Sequence, residues 1–263
     1  MEKKMKIALV GYGKMGHMIE AAAKAAGHEV VATVDVAAKD ASVLVPAGDG
    51  NAVAEAVKKS GAEGVIEFSH PTAVIGNLNA LIPLGLPVVV GTTGWAKSEK
   101  EIEALLEKTN GVAMRSSNFS IGVNMFYKIV EEAAKIMSEY SEYDVAVWEA
   151  HHNQKADSPS GTALEVARRV MLGNKSKTEM VIDAFHERPK ANELHVSSTR
   201  VGFVPGIHKV FFDSPADTIE LTHTARSREG FARGSVVALE KLCAKVSSGE
   251  LSRGKLYGME DLF

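Results

Sequence analysis

The chain has 263 residues, 45% hydrophobic and 24% charged, with a formal net charge of −3. This is the balance of an ordinary globular protein, long enough for one large or two modest domains. The slight acidity argues against a general nucleic-acid binder, which needs a basic excess. The single cysteine, Cys243, excludes an intrachain disulfide and lies in an apolar helical pattern that suits a buried, inert thiol. The apolar run before Gly11 is too short for a signal peptide core or a membrane span. The expectation is a cytoplasmic protein with no membrane and no nucleic-acid partner.

Lys6–Val10 reads as a buried parallel strand ending at Gly11. Gly11-Tyr12-Gly13-Lys14-Met15-Gly16 follows, then a helical pattern through Ala26 and a second strand, Val30–Val34, closed by Asp35. Strand, glycine turn, helix, strand and acid together form the context of a dinucleotide fingerprint; the alternative is a tight turn with an incidental aspartate. Gly11 permits the turn, Gly13 lets the backbone approach a pyrophosphate, and Gly16 allows close helix–strand packing. Asp35 would accept from a ribose 2′-hydroxyl and repel a 2′-phosphate. The residue after it is Val36 rather than arginine, so NADH is expected to be preferred over NADPH, with Lys39 near enough to blunt the difference.

Further strands are expected at Gly64–Phe68, Pro87–Val90 and Val112–Met114. Ser69-His70-Pro71, Gly91-Thr92-Thr93-Gly94 and Arg115-Ser116-Ser117-Asn118-Phe119 follow them. Ligands of open α/β sheets lie beyond the carboxyl ends of the strands, so these loops are candidate cofactor contacts, although such residues are also good turn formers. A helix over Asn124–Tyr140 comes next, then a strand over Tyr143–Trp148.

Glu149-Ala-His151-His152-Asn-Gln-Lys155-Ala-Asp-Ser-Pro-Ser160-Gly161-Thr162-Ala163 then gathers two imidazoles, a lysine and a turn that opens an apolar helical pattern. Proton donors, positive charge and helix N-terminal N–H groups are what a site for a small dicarboxylate requires. Strands over His195–Val201, His208–Phe212 and Asp217–Ala225 and a helix over Gly230–Ser248 complete the chain. No zinc-type spacing is present, and adjacent histidines on a strand point apart, so no metal is expected. The fold class is α/β: a Rossmann-like dinucleotide-binding domain with a second α+β domain built on an open mixed sheet.

These motifs carry a resemblance. The Glu149–Ala163 segment is similar to the E-x-H-H-x-x-K-x-D-x-P-S-G-T-A signature of the bacterial 4-hydroxy-tetrahydrodipicolinate reductases, also called dihydrodipicolinate reductases. Phe68–Pro71, Gly91–Gly94, Asn118–Asn124 and Thr222–Arg228 also match, and the likeness covers essentially the whole chain. It implies a catalytic acid/base at His151 and a proton donor at Lys155. It implies substrate contacts at His152, Ser160, Gly161, Thr162 and Arg228. Cofactor contacts fall on Gly11, Tyr12, Gly13, Lys14, Met15, Gly16, Asp35, Gly91, Thr92, Thr93, Ser116, Ser117, Asn118 and Phe119. The family's glycine turn is commonly one residue longer, with an arginine where Lys14 stands.

The implied reaction is reduction of a cyclic dicarboxylate in lysine and diaminopimelate synthesis by NADH or NADPH, with hydride to C4. The implied architecture is a cofactor domain over residues 1–122 completed by 230–263, and a substrate and oligomerisation domain over 123–229 that builds a homotetramer. Ser120–Val123 and Thr224–Gly230 are candidate hinges. Two rivals share the cofactor half. One is a nicotinamide dehydrogenase acting on an amino or hydroxy acid, and the other a non-catalytic dinucleotide sensor. The His-His-x-x-Lys and Ser-Gly-Thr elements argue against both.

Overall fold

The structure, a computed structural model, describes residues 4–182 and 184–262. Two compact units are present, one built from the segments up to Ser120 and from Glu229 onward, the other from Ile121–Arg228.

In the first unit, strands and helices alternate: β1 (Lys6–Val10), α1 (Lys14–Ala25), β2 (Glu29–Asp35), β3 (Val43–Leu44), α2 (Gly50–Ser60), β4 (Gly64–Glu67), α3 (Val74–Leu81), β5 (Val88–Val90), α4 (Glu99–Thr109) and β6 (Val112–Arg115). The second unit runs α5 (Ile121–Met137), β7 (Asp144–His151), α6 (Gly161–Gly173), β8 (Glu179–Val181), β9 (Glu193–Arg200), β10 (Ile207–Asp213) and β11 (Thr218–Thr224). The chain then returns to the first unit as α7 (Glu229–Ser247) and β12 (Lys255–Tyr257).

The first sheet is parallel, in the order β12-β6-β5-β4-β1-β2-β3. Helices cover both faces, which is why its strands are continuous apolar runs instead of alternating ones. Ile7 and Leu9 of β1 join a core with α1 and α7, while Ala8 and Val10 join one with α2, α3 and α4. From β1 the chain passes to β2 on one side and later to β4 on the other. The order therefore reverses at β1, and a crevice opens beyond the strand ends there.

The second sheet is mixed, in the order β11-β10-β7-β9-β8. β10 runs antiparallel to both neighbours, and β7, β9 and β8 run parallel. Here burial alternates. Val145 and Val147 of β7, Val196 of β9 and Val210 and Phe212 of β10 pack on Phe126, Val130, Val166 and Val170 of α5 and α6. The other face presents Ala146, Trp148, Lys209 and Phe211, all partly exposed.

The expected strands and the α1, α5, α6 and α7 helices are present within a few residues of their anticipated ends. Sequence analysis assigned no element to α2, α3, α4, β3, β8 or β12. α2 carries its own start signal, the Asp49 side chain accepting from the Ala52 N–H at 2.9 Å. α3 is only eight residues long, and α4 buries only Ile102 and Leu106 within a charged sequence. Among the described residues, no helix is long and apolar enough to cross a membrane.

Candidate functional site

In the first unit the glycine turn after β1 is built by three different constraints. Gly11 has φ +91°, and a Cβ there would stand 2.1 Å from the Phe68 carbonyl oxygen. A Cβ on Gly16 would stand 2.5 Å from the Gly11 oxygen. At Gly13 a Cβ would meet nothing within 4 Å, so the protein itself leaves that position open. Gly13 is the N-cap of α1 and brings no capping side chain, so the first N–H groups of the helix face outward to the space an anion would fill. That is a cradle suited to a pyrophosphate. Tyr12 and His17 brace the turn: their rings stack at 4.1 Å, His17 Nδ1 lies 2.8 Å from the Gly13 oxygen, and Nε2 lies 2.6 Å from Asp40.

Asp35 stands at the end of β2, and its carboxylate accepts from the N–H groups of Tyr12 (2.6 Å), Ala37 (2.8 Å) and Ala38 (2.9 Å). Burial alone would raise its pKa; these donors outweigh burial and lower it, which keeps the group ionised. Asp35 lines a cavity of about 230 Å³ with Gly11, Gly13, Val36, Pro46 and His70. A ribose with free hydroxyls suits this fixed negative charge, whereas a 2′-phosphate would be opposed by it.

The remaining candidates around the strand ends divide by exposure. Lys14, Thr93 and Ser117 are exposed, and Met15 is half-buried. Thr92 and Asn118 are buried, and Phe119 is core, packed on Phe68 at 5.7 Å between centroids. Ser116 Oγ donates to the Asn118 oxygen at 2.8 Å and accepts from the Asn118 N–H at 3.0 Å. Gly91 has a packing reason of its own, since a Cβ there would fall 2.0 Å from the Phe68 ring. Phe119, Thr92 and Asn118 therefore shape the loops more than they expose side chains to a ligand.

In the second unit, register assembles a polar row at one end of the apolar face. Glu149 and His151 continue the inward stripe of Val145 and Val147 on β7, because residues two apart share a face. Across the strands His208 pairs with Glu149 on one side and with His223 on the other, and Arg200 pairs with His151. Glu149 is fully buried. Its carboxylate accepts from His151 Nδ1 and from the Ser160 N–H at 3.2 Å, and pairs with Arg200 Nη1 at 2.8 Å. Burial alone would raise its pKa, but the hydrogen bonds from His151 and Arg200 prevail and hold it at about 2. An ionised Glu149 assigns the hydrogen of His151 to Nδ1, so Nε2 is the atom that can take or give a proton. Gly206, at φ +148°, lies beside that atom; a Cβ there would stand 3.0 Å from Nε2.

Ser160 caps α6 by accepting from the Ala163 N–H at 3.1 Å, and a Cβ on Gly161 would meet nothing within 4 Å. The start of α6 is thus a second helix N-terminus left open for an anion. His152 is half-buried and follows β7. Lys155 is also half-buried, and its Nζ lies 2.8 Å from Asp157. His151, His152, Lys155, Ser160, Gly161 and Thr162 thus share one end of the second sheet. Arg228 is exposed, beyond the end of β11, and no described contact joins it to that group. Arg200, Glu149 and His208 carry no assigned role in the sequence analysis. Glu149 opens the motif and shares the face of His151 on one strand, whereas Arg200 and His208 come from other strands and only register reveals them.

Glu149, His151 and His208 offer ligand atoms within 4.8 Å of one another, the one such cluster of metal-ligand type among the described residues. Arg200, Ser160 and His151 already engage the Glu149 carboxylate, so a cation would have to displace a cation.

Two predictions follow from these geometries. Gly13→Ala should keep the wild-type melting temperature and weaken NADH binding, measured by fluorescence titration, by at least about tenfold, whereas Gly11→Ala should lose folded protein through clash and backbone strain. Equal NADH affinity in Gly13→Ala would contradict the cradle. His208 is the second case. Burial, and then the nearby His151, push its pKa down from 6.5 to about 4. The unfolded chain takes up this proton below pH 6.5 and the fold resists until about pH 4, so stability should fall across that window, by as much as about 3 kcal/mol from this group. Denaturant titrations should show a stability slope about 1.4 kcal/mol per pH unit shallower in His208→Gln within the window. An unchanged slope would mean that His208 is solvated.

The family description "Dihydrodipicolinate reductase, N-terminus" matches residues 5–119, and "Dihydrodipicolinate reductase, C-terminus" matches residues 122–263. A 4-hydroxy-tetrahydrodipicolinate reductase of Archaeoglobus fulgidus is 39% identical over 253 residues, covering 92% of this chain and 95% of that protein. One of Christiangramia forsetii is 35% identical over 238 residues, covering 90% and 92%. Among solved structures, a dipicolinate-bound dihydrodipicolinate reductase from Paenisporosarcina sp. TG-14 superposes with a TM-score of 0.75 at 20% identity, over 99% of this chain and 100% of that one, which is a likeness of fold. On these matches, spanning both units, the chain belongs to the dihydrodipicolinate reductase family.

Proposed function

We propose that the chain reduces 4-hydroxy-tetrahydrodipicolinate to tetrahydrodipicolinate with NAD(P)H, in lysine and diaminopimelate biosynthesis, as a cytoplasmic enzyme. The observation that carries this reading is the meeting of His151, Lys155 and the open start of α6 at one end of the second sheet. In the first unit the Gly13 cradle and the ionised Asp35 suit a dinucleotide, with NADH preferred.

The 4-hydroxyl group leaves as water to give a conjugated cyclic imine, and the reduced nicotinamide, once bound, would supply the hydride to C4 of that ring. The residues of the chain do the rest. The start of α6, at Gly161 and Thr162, receives one substrate carboxylate through N–H groups and the helix dipole. His152 and Lys155 attract the other, the substrate taking the place that Asp157 holds beside Lys155. As negative charge builds on the ring, Lys155 Nζ or the doubly protonated His151, through Nε2, supplies the proton, while Glu149 holds the Nδ1–H and so directs Nε2. The two chain crossings, near Ser120–Val123 and Thr224–Gly230, are the hinges this reading assigns.

Freshly generated 4-hydroxy-tetrahydrodipicolinate should oxidise NADH with a higher kcat/KM than NADPH. Lys155→Ala should lose about 10²- to 10⁴-fold in kcat while NADH binding stays within twofold of wild type. Wild-type turnover in that variant would remove Lys155 from the mechanism, and a clear NADPH preference would remove the discriminating role of Asp35.

The face of the second sheet away from its helices, with Trp148 and Phe211 partly exposed, supports a homotetramer assembled through this unit. Light scattering of the purified protein should give a tetramer mass, and Phe211→Lys should lower it; a wild-type monomer would rule this assembly out.

A further inference from the structure

The guanidinium of Arg200 touches every part of the chain that presents the acid–base pair. Nη1 pairs with Glu149 Oε1 at 2.8 Å and donates to the Thr199 oxygen at 2.9 Å. Nε donates to the Lys155 oxygen at 3.2 Å, and Nη2 donates to the Asp157 oxygen. One side chain therefore bonds the carboxylate that orients His151 and two carbonyls of the loop that carries Lys155. The sheet makes this possible, because β9 lies parallel to β7 with Arg200 directly opposite His151. The bond to Glu149 is made to a fully buried carboxylate, the one to the Lys155 oxygen is half-buried, and those to the Thr199 and Asp157 oxygens lie at the surface.

We propose that Arg200 is a positioning residue for the reductase, fixing the His151 tautomer through Glu149 and the placement of Lys155 through the 155–157 carbonyls. This rests on the reading of His151 and Lys155 as the proton donors. The chemistry of the side chain is specific. A planar fork with five donors can serve a carboxylate and two diverging carbonyls at once, whereas a lysine ammonium presents its three donors from one point. Without Arg200, Glu149 is a buried carboxylate that has lost its cationic partner, and the Lys155 and Asp157 carbonyls lose their shared donor. The loop from His152 to Ser158 is then tied mainly by the Asn153 N–H to the Gly202 oxygen and by its own turn at Lys155. A displacement of about 1 Å in a proton donor is enough to lower turnover about 100-fold.

The test uses the full-length enzyme with NADH and freshly generated 4-hydroxy-tetrahydrodipicolinate. Arg200→Lys should reduce kcat by about 100-fold with the KM for NADH unchanged, since the cofactor cradle is in the other unit. Arg200→Ala should be as slow, and added guanidinium at non-denaturing concentration should restore turnover in a saturable way while ammonium and sodium salts do not. A residue that merely stabilised the fold would show neither the kcat-only effect nor the guanidinium selectivity. Hydrogen exchange over residues 152–158 should be faster in Arg200→Lys, a readout that does not depend on the substrate chosen. Where Arg200→Ala fails to fold, Arg200→Lys carries the test alone. Wild-type-like kcat in Arg200→Lys, or unchanged exchange over 152–158, overturns the proposal. Inactivity of the wild type with this substrate would instead overturn the reductase reading, and the exchange experiment would still decide whether Arg200 holds the loop.

Discussion

The second unit depends on one buried carboxylate. Glu149 has left water completely, and an ionised group in that position persists only where its lone pairs are all spoken for. Arg200, His151 and the Ser160 N–H do this together. Each of the three donors belongs to a different piece of structure: a neighbouring strand, the end of the same strand and the cap of a helix. The carboxylate is therefore a common tie for β9, β7 and α6. Because the tie is ionic and sequestered, it fixes geometry rather than adding much net stability, which is the best-supported role of buried charge.

The same economy explains why apolar and reactive residues share one face of the sheet. Val145, Val147, Glu149 and His151 are a single inward stripe, the first two in hydrocarbon and the last two in polar company. His208, between His151 and His223, belongs to the boundary. Burial, and then the nearby His151, hold its pKa down to about 4, so it stays neutral at ordinary pH and adds no further full charge beside Glu149 and His151.

Much of this was legible in the sequence, and the reason is periodicity and motif. The glycine turn with its flanking strands and Asp35 announces a nucleotide crevice because the steric demands of such a turn admit few other residues, as Gly11 and Gly16 show in contact with the backbone itself. The segment from His151 to Thr162 is local in sequence, so its convergence could be anticipated. Arg200 could not be, since it is 45 residues from Lys155 and meets it only through the pairing of β9 with β7. Glu67 was hidden for a similar reason. It ends an apolar strand and is buried, and burial raises its pKa while Ser69 and Asn77 bond it. A buried polar network of this kind leaves no periodic mark. α4 was missed because a helix that buries two residues among charges looks like a solvated stretch until the sheet beneath it is known.

The path of the chain has a further consequence. The first sheet takes its edge strand β12, and one face takes α7 beside α1, from residues that follow the whole second unit. During synthesis the second unit is contiguous and can fold as soon as it clears the ribosome. The first unit has only α1 on the Leu9 and Ile66 side of its sheet until α7 follows. The nucleotide-binding half, though begun first, is therefore completed only after the second unit has been made.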